Sequence, residues 1–202
     1  MKENDPIFTR RSIRRFSERE VSTEFIKKIL EAAIQAPSAK NRQPWRFIVL
    51  GGRSKAEFER CMERGLMREE NETALLPRSR SGLSDAWNTL RIINVSPVLI
   101  VVVNTNGISP FVPIDSDARV TEICDTLSIG AAVQNMLLTA ENLGLGTLWI
   151  ANTCFAYTEL TEFLQAYGQL VGAVAVGYSA ETPVSRPRKS LDEISEYRTE
   201  ET

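Results

Sequence analysis

The six residues from Val98 to Val103 form the longest strongly apolar run of this 202-residue chain. Polar and apolar positions do not alternate in this run, as they would in a strand with one solvated face. A strand that is apolar on both sides has to be covered on both faces, so the run predicts a central strand between two layers. It is far too short to cross a bilayer, and we expect no membrane partner.

Further helices and strands are predicted before and after this strand in the sequence. Ser22 is a suitable N-cap for a helix that should end before Pro37, because proline disfavours a helical conformation in the residue before it. Arg46–Leu50 and Val171–Tyr178 have the composition of strands, and a long helix is expected over Ala118–Leu143. The order of helices and strands predicts an α+β or α/β arrangement around a small sheet, with the strand order left open.

The length favours a single domain over residues 1–202, since a chain of this size can bury a substantial core. Turn-forming residues between positions 77 and 82 indicate an exposed loop or lid, and we expect a lid-like excursion over about 54–96. Pro183 and Pro187 follow the last strand. They predict an extended C-terminal tail over about 179–202.

The chain contains no histidine. This excludes Ser-His-Asp and Cys-His catalysis and the usual zinc ligand sets, so no metal site is expected. An enzyme of this composition would use carboxylates, Lys, Tyr or Cys, or import its chemistry in a cofactor. The cysteines, Cys61, Cys124 and Cys154, are widely spaced and form no CxxC motif. With no secretory signal in the polar N-terminus, they indicate a reducing, cytoplasmic location.

Two basic clusters lie far apart in a chain whose net charge is only −2. The first contains Arg10, Arg11, Ser12 and Arg14, and the second lies at 186–189. Arginine binds phosphate through paired charge-assisted hydrogen bonds, so we expect folding to bring both clusters to one phosphate. The alternative is solvated surface charge. The near-neutral balance argues against nucleic acid as a partner.

The segment from Ala36 to Trp45 is a polar loop between a helix and a strand. Asn41 and Gln43 each offer a donor and an acceptor, as the polar edge of a flat ring requires. Pro37 and Pro44 stiffen the loop and reduce the ordering that binding demands. The alternative is a helix end, a turn and a packed tryptophan.

The pair Gly144-Leu145-Gly146 is not a dinucleotide-binding motif. The third glycine of GxGxxG is replaced by Trp149, and the pair follows a helix instead of opening one. We therefore expect no Rossmann site.

Four segments together resemble the FMN-dependent nitroreductase family over nearly the whole chain. They are RRSIRRF at 10–16, APSAKNRQPWRFIVL at 36–50, GAAVQNMLLTAENLGLGTLWI at 130–150 and VGYSAETPVSRPRKSLDEI at 176–194. The resemblance implies an α+β, nitroreductase-like fold with a small mixed sheet of about four to five strands flanked by helices. It also implies an intertwined homodimer with two FMN sites at its interface.

The same resemblance implies three groups of FMN-binding residues. The phosphate and nearby ring edge would be held by Arg10, Arg11, Ser12 and Arg14, with Arg186 and Arg188 completing the phosphate site. The loop of the partner chain would contribute Pro37, Ser38, Ala39 and Asn41. The ring near its reactive nitrogen would be lined by Trp149, Ile150, Ala151 and Asn152. No catalytic side chain is implied, because the chemistry takes place on the flavin.

The implied activity is ping-pong reduction of a small-molecule acceptor, such as a nitroaromatic or a quinone, by NADH or NADPH. Three alternatives remain open at this stage. The same fold could carry out reductive dehalogenation or substrate dehydrogenation, or the protein could be a non-catalytic flavin-binding module. Binding of nucleic acid by the arm from Arg10 to Arg15 is disfavoured, since the arm lacks interleaved aromatic residues.

Overall fold

The structure, a computed structural model, describes residues 5–71 and 73–199. Residues 1–4, 72 and 200–202, which belong to the expected domain and tail, lie outside the described residues. The helices are α1 (Pro6–Thr9), α2 (Thr23–Ala33), α3 (Gly52–Glu69), α4 (Leu83–Val95), α5 (Ser116–Asn142), α6 (Tyr157–Leu164) and α7 (Leu191–Ile194). Three short 3-10 turns cover Ala39–Asn41, Pro77–Gly82 and Asn152–Ala156. In this described part, no helix is long and apolar enough to span a membrane.

Four strands form one sheet in the order β1-β2-β4-β3. They are β1 (Trp45–Leu50), β2 (Val98–Asn104), β3 (Gly146–Ile150) and β4 (Gln169–Gly177). The apolar run therefore lies in a central strand, as predicted. All three strand pairs are antiparallel, which differs from the expected mixed sheet. Parallel pairing occurs instead as an isolated bridge between Ser12 and Thr147, because the N-terminal segment runs beside β3 in the same direction.

Burial on both faces explains why β2 has no polar alternation. Leu99, Val101 and Val103 belong to a core that includes residues of α3, α4 and α6. Ile100 and Val102 belong to a second core, formed with α2 and α5 on the other face. All five side chains are at most 1% exposed. The sheet is thus sandwiched between two helical layers, which confirms the α+β class.

Helix α2 begins where the sequence predicts it. The Ser22 hydroxyl accepts a hydrogen bond from the Phe25 amide over 3.2 Å, and the helix ends at Ala33, before Pro37. The described residues between 54 and 96 include most of α3, an exposed 3-10 turn and α4. Both helices belong to the core through residues such as Phe58 and Ile93, which are fully buried. A lid role for the exposed turn remains a prediction.

Candidate functional site

The two basic clusters lie side by side in the structure. A cavity of about 70 Å³ is lined by Arg10, Arg11, Ser12 and Arg14 on one side and by residues 183–186 and Arg188 on the other. Stretches from the two ends of the chain therefore converge on one cavity. We call this space the arginine cavity.

The N-terminal segment reaches this position by pairing with the edge of the sheet. The Ile13 amide donates to the Thr147 carbonyl of β3 over 2.9 Å, and the Ser17 amide donates to the Tyr178 carbonyl over 2.9 Å. Ile13 and Phe16 are buried and anchor the segment. The chain after β4 then runs back along this segment, which brings Arg186 and Arg188 beside Arg10 and Arg14.

Two glycines make room for these anchors. A Cβ atom on Gly146 would lie 2.6 Å from Cγ1 of Ile13, and one on Gly177 would lie 2.8 Å from Cδ1 of Phe16. Real Cβ contacts are not that short, so both positions require the absence of a side chain. The second glycine of the Gly144-Leu145-Gly146 pair thus serves the packing of the N-terminal segment.

The arginines of the cavity lack acidic partners. Within the described residues, none of Arg10, Arg11, Arg14, Arg186 and Arg188 takes part in a salt bridge. Concentrated positive charge of this kind attracts an anion such as a phosphate.

The arginines differ in what their guanidinium groups already contact. Arg11 donates to the carbonyls of Phe8, Thr9 and Arg10 over 2.7–2.9 Å, and all three contacts use Nη1 alone. Arg10 has a buried Nε without a hydrogen-bond partner. Arg14 makes one bond, from Nη1 to the Ser12 carbonyl over 3.2 Å. Arg10 and Arg14 therefore have donors available for a ligand.

Glu181 is a residue that sequence reasoning missed. One oxygen of its carboxylate, Oε1, accepts hydrogen bonds from the backbone amides of Arg14 over 2.5 Å and Arg15 over 3.1 Å. This contact ties the returning chain to the N-terminal segment at the arginine cavity. The available signal was that Glu181 is the one acidic residue between positions 179 and 188.

A second cavity, of about 270 Å³, adjoins the first at Arg14. Its other walls are the segment Trp149–Asn152, at the end of β3, and α4 with Asp85, Asn88 and Thr89. We call it the strand-end cavity. The structure places all four residues expected along the ring on its wall, although the side chain of Ile150 is buried in the core.

The polar face of α4 was not predicted. Asp85, Asn88 and Thr89 are spaced i, i+3 and i+4, and that spacing places their side chains on one face of a helix. The Asn152 amide nitrogen donates to Thr89 Oγ1 over 2.9 Å and to Asp85 Oδ2 over 3.3 Å. Its carbonyl oxygen, Oδ1, is buried without a partner. Buried polar atoms are nearly always paired, so this acceptor points to a ligand donor.

The loop with Pro37, Ser38, Ala39 and Asn41 lies elsewhere. It packs on α5, where the Ala39 amide donates to Ser128 Oγ over 3.2 Å. Within the described part of the chain, none of these four residues lines the arginine cavity or the strand-end cavity. The structure of one protomer therefore does not bring the loop to the other predicted site residues.

The thiol nearest to the strand-end cavity is not activated. Burial raises the pKa of Cys154, two residues after Asn152, so this thiol stays protonated at neutral pH. Over residues 5–71 and 73–199, no group of three or more Cys, Asp or Glu side chains is placed to hold a metal ion.

The sheet, the two helical layers and the adjoining cavities define an α+β protein with an arginine-lined cavity joined to a second cavity at the end of β3. Comparison with known proteins is consistent with this class. A family model described as the nitroreductase family matches residues 7–178, and the chain therefore belongs to the nitroreductase family.

Individual relatives agree with this assignment. A protein of Archaeoglobus fulgidus, provisionally named an NADH dehydrogenase/NAD(P)H nitroreductase, is 33% identical over 144 residues, which span 71% of this chain and 64% of that protein. A crystal structure of a provisionally named nitroreductase in complex with FMN, from Desulfovibrio desulfuricans, is 25% identical with a TM-score of 0.68, covering 98% of this chain and 99% of that one. A BluB-like flavoprotein of Clostridium difficile 630 shares the fold, with 24% identity, a TM-score of 0.75 and coverage of 98% and 100%.

Proposed function

We propose that this protein is an FMN-dependent oxidoreductase that takes electrons from NADH or NADPH and reduces nitroaromatic, quinone or related acceptors. The observation that carries the proposal is the convergence of Arg10 and Arg14 with Arg186 and Arg188 around one cavity. The names of the archaeal relative and of the FMN complex support the choice of cofactor and electron donor.

The residues of the two cavities fit both the phosphate end and the ring end of FMN. A phosphate monoester carries close to two negative charges at neutral pH and suits the arginine cavity, where Arg10 Nε is buried without a partner. The strand-end cavity, reached past Arg14, is large enough to take part of a ring system, and the unpartnered Asn152 Oδ1 would accept from a ring N–H. When bound, FMN would supply the hydride transfer, a reaction that amino-acid side chains do not carry out themselves.

The chain's own residues would bind the FMN and orient its ring. The guanidinium groups neutralise the phosphate, and Thr89 holds the Asn152 side chain in place through its hydroxyl. Trp149 is 45% exposed at the cavity wall and offers a flat apolar surface. Because one cavity would serve the donor and the acceptor in turn, ping-pong kinetics is expected.

We further propose a homodimer formed along α5. Val120, Ile123 and Leu127 of this helix are each more than half exposed. Three large apolar side chains at helical spacing form a patch that a second copy of the chain would cover. Such a dimer would also allow the loop at 37–41 to contact the FMN of the partner.

The decisive test is the visible spectrum of the purified protein, followed by anaerobic addition of NADH or NADPH. We expect a yellow protein whose flavin absorption band is bleached by one or both nucleotides and restored by a quinone or a nitroaromatic. A colourless protein that takes up no FMN would refute the proposal. A yellow protein that neither nucleotide bleaches would be a non-catalytic flavin-binding module.

Removal of the Glu181 carboxylate should weaken FMN binding by about tenfold, since hydrogen bonds to a charged group contribute about 1.5–3 kcal/mol and these two position Arg14. The measurement is a fluorescence titration of the apoprotein with FMN for Glu181→Ala. Glu181→Gln is the matched control, because its carbonyl oxygen can still accept from both amides. Unchanged affinity in Glu181→Ala would show that Arg14 is held without Glu181.

A further inference from the structure

The loop from Pro37 to Gln43 has an unusual backbone. Lys40, Asn41 and Gln43 have φ angles of 53°, 54° and 48°, in the left-handed region that residues other than glycine seldom occupy. Strained conformations of this kind persist only where the surrounding structure imposes them, and they cluster at ligand-binding sites. The groups that impose this conformation are therefore of functional interest.

A buried carboxylate on α5 holds the loop. Asp125 is 1% exposed, and its Oδ1 accepts from Arg42 Nε over 2.8 Å and from Arg42 Nη2 over 2.7 Å. Its second oxygen, Oδ2, accepts from Asn106 Nδ2 over 3.2 Å. Three residues further along α5, Ser128 accepts from the Ala39 amide. Two side chains of α5 thus hold the loop: Asp125 contacts the side chain of Arg42, and Ser128 contacts the backbone amide of Ala39.

Burying the carboxylate of Asp125 contributes little net stability to the fold. Removing this charge from water offsets much of its attraction to the partly exposed Arg42, and well-packed apolar residues of similar size are often equally stable. What this pair provides in addition is geometry, because two N–H groups of the planar Arg42 guanidinium donate to one oxygen of Asp125 and so fix its orientation. The pair is therefore suited to setting the conformation of the loop.

Helix α5 lies close both to the loop and to one residue of the strand-end cavity. A Cβ atom on Gly130 would lie 3.9 Å from Cη2 of Trp149, which lines that cavity. Ser128, two positions earlier, contacts the loop. The exposed patch of Val120, Ile123 and Leu127 lies on the same helix. In the proposed dimer, the second copy docks on α5 so that each loop faces the partner's strand-end cavity.

We infer that Asp125 is a positioning residue that acts through Arg42: it holds the loop 37–43 in the conformation that contacts FMN bound by the partner. The inference rests on the proposed function, since it requires FMN and a dimer. It differs from a role in stability alone, which predicts a less stable protein whose folded form binds FMN normally.

The experiment compares Asp125→Asn and Arg42→Lys with the wild type. Asp125→Asn keeps the shape of the side chain and removes its charge, and Arg42→Lys keeps the charge but loses the paired donation from Nε and Nη2. Arg42 is 26% exposed, so its replacement is compatible with folding if the asparagine variant is not. We expect FMN to bind at least tenfold more weakly to each variant. The visible circular dichroism of FMN at saturation, which reports the surroundings of the ring, should also change.

Two further variants separate positioning from stability. Glu59→Gln breaks the ion pair with Lys55, whose side chain is 9% exposed, on α3 at the opposite face of the sheet. It should lower the thermal unfolding temperature without changing FMN affinity or circular dichroism. The double variant Asp125→Leu/Arg42→Met should recover thermal stability but not FMN affinity.

The outcomes distinguish the two proposals. Asp125→Asn and Arg42→Lys proteins that bind FMN with wild-type affinity and an unchanged spectrum would overturn the inference and leave the proposed function standing. The same holds if the double variant recovers affinity together with stability. A wild-type protein that binds no FMN would overturn the proposed function and, with it, the inference.

Discussion

Arg14→Ala should weaken FMN binding by about 10- to 150-fold, because a hydrogen bond to a charged group contributes about 1.5–3 kcal/mol. Arg14 lines both the arginine cavity and the strand-end cavity, so its loss affects the point where the two join. Its guanidinium makes one bond within the described chain, to the Ser12 carbonyl. The unfolding temperature of the apoprotein should therefore change little. Fluorescence titration with FMN and thermal unfolding measure the two quantities.

The neighbouring arginine provides the control. Arg15 is exposed and lines neither of these cavities, so Arg15→Ala should bind FMN like the wild type. Arg188→Ala should weaken binding in the same direction as Arg14→Ala, because Arg188 lines the opposite wall of the arginine cavity. If both Arg14→Ala and Arg188→Ala retained wild-type affinity, the phosphate would not lie in this cavity.

Gly146→Ala should destabilise the protein by about 1–3 kcal/mol, the usual range for an extra methyl group in a filled space. The new Cβ would lie 2.6 Å from Cγ1 of Ile13, so the N-terminal segment has to move away from β3. Arg10, Ser12 and Arg14 lie on that segment, and FMN affinity should fall together with stability. Chemical denaturation and FMN titration of the same preparation test both effects.

A second glycine serves as the comparison for Gly146→Ala. Gly51 has extended backbone angles, and the nearest atom to an added Cβ is the Pro97 carbonyl oxygen at 3.8 Å, an ordinary contact. Gly51 is the N-cap of α3, where alanine is less favourable than glycine, but the substitution creates no clash, so Gly51→Ala should cost less stability than Gly146→Ala and leave FMN affinity unchanged. Equal effects of the two substitutions would mean that contact with Ile13 is not what requires glycine at position 146.

Local composition was enough to predict the central strand and the two arginine clusters. The Val98–Val103 run is apolar on both sides and therefore has to be buried on both, and the structure covers both of its faces. The convergence of the clusters was expected because arginines at two places could bind one phosphate together. Both predictions depend on residue types that stand next to each other in the chain.

The residues that sequence reasoning missed act across long separations. Glu181 contacts the amide of Arg14 from 167 positions away, and Asp125 contacts Arg42 from 83 positions away. A single acid in a loop or a helix has no local pattern that reveals its partner. The polar face of α4 was visible as a spacing, but its relation to Asn152 depends on how α4 packs beside β3.

The chain by itself therefore determined the layered α+β core and the presence of two basic clusters, because burial and charge are properties of adjacent residues. Only the tertiary structure decided which backbone groups hold Arg14, why position 146 must be glycine, and where the loop at 37–43 lies. Those features arise from contacts between distant segments, and their geometry exists only once the sheet and α5 are packed.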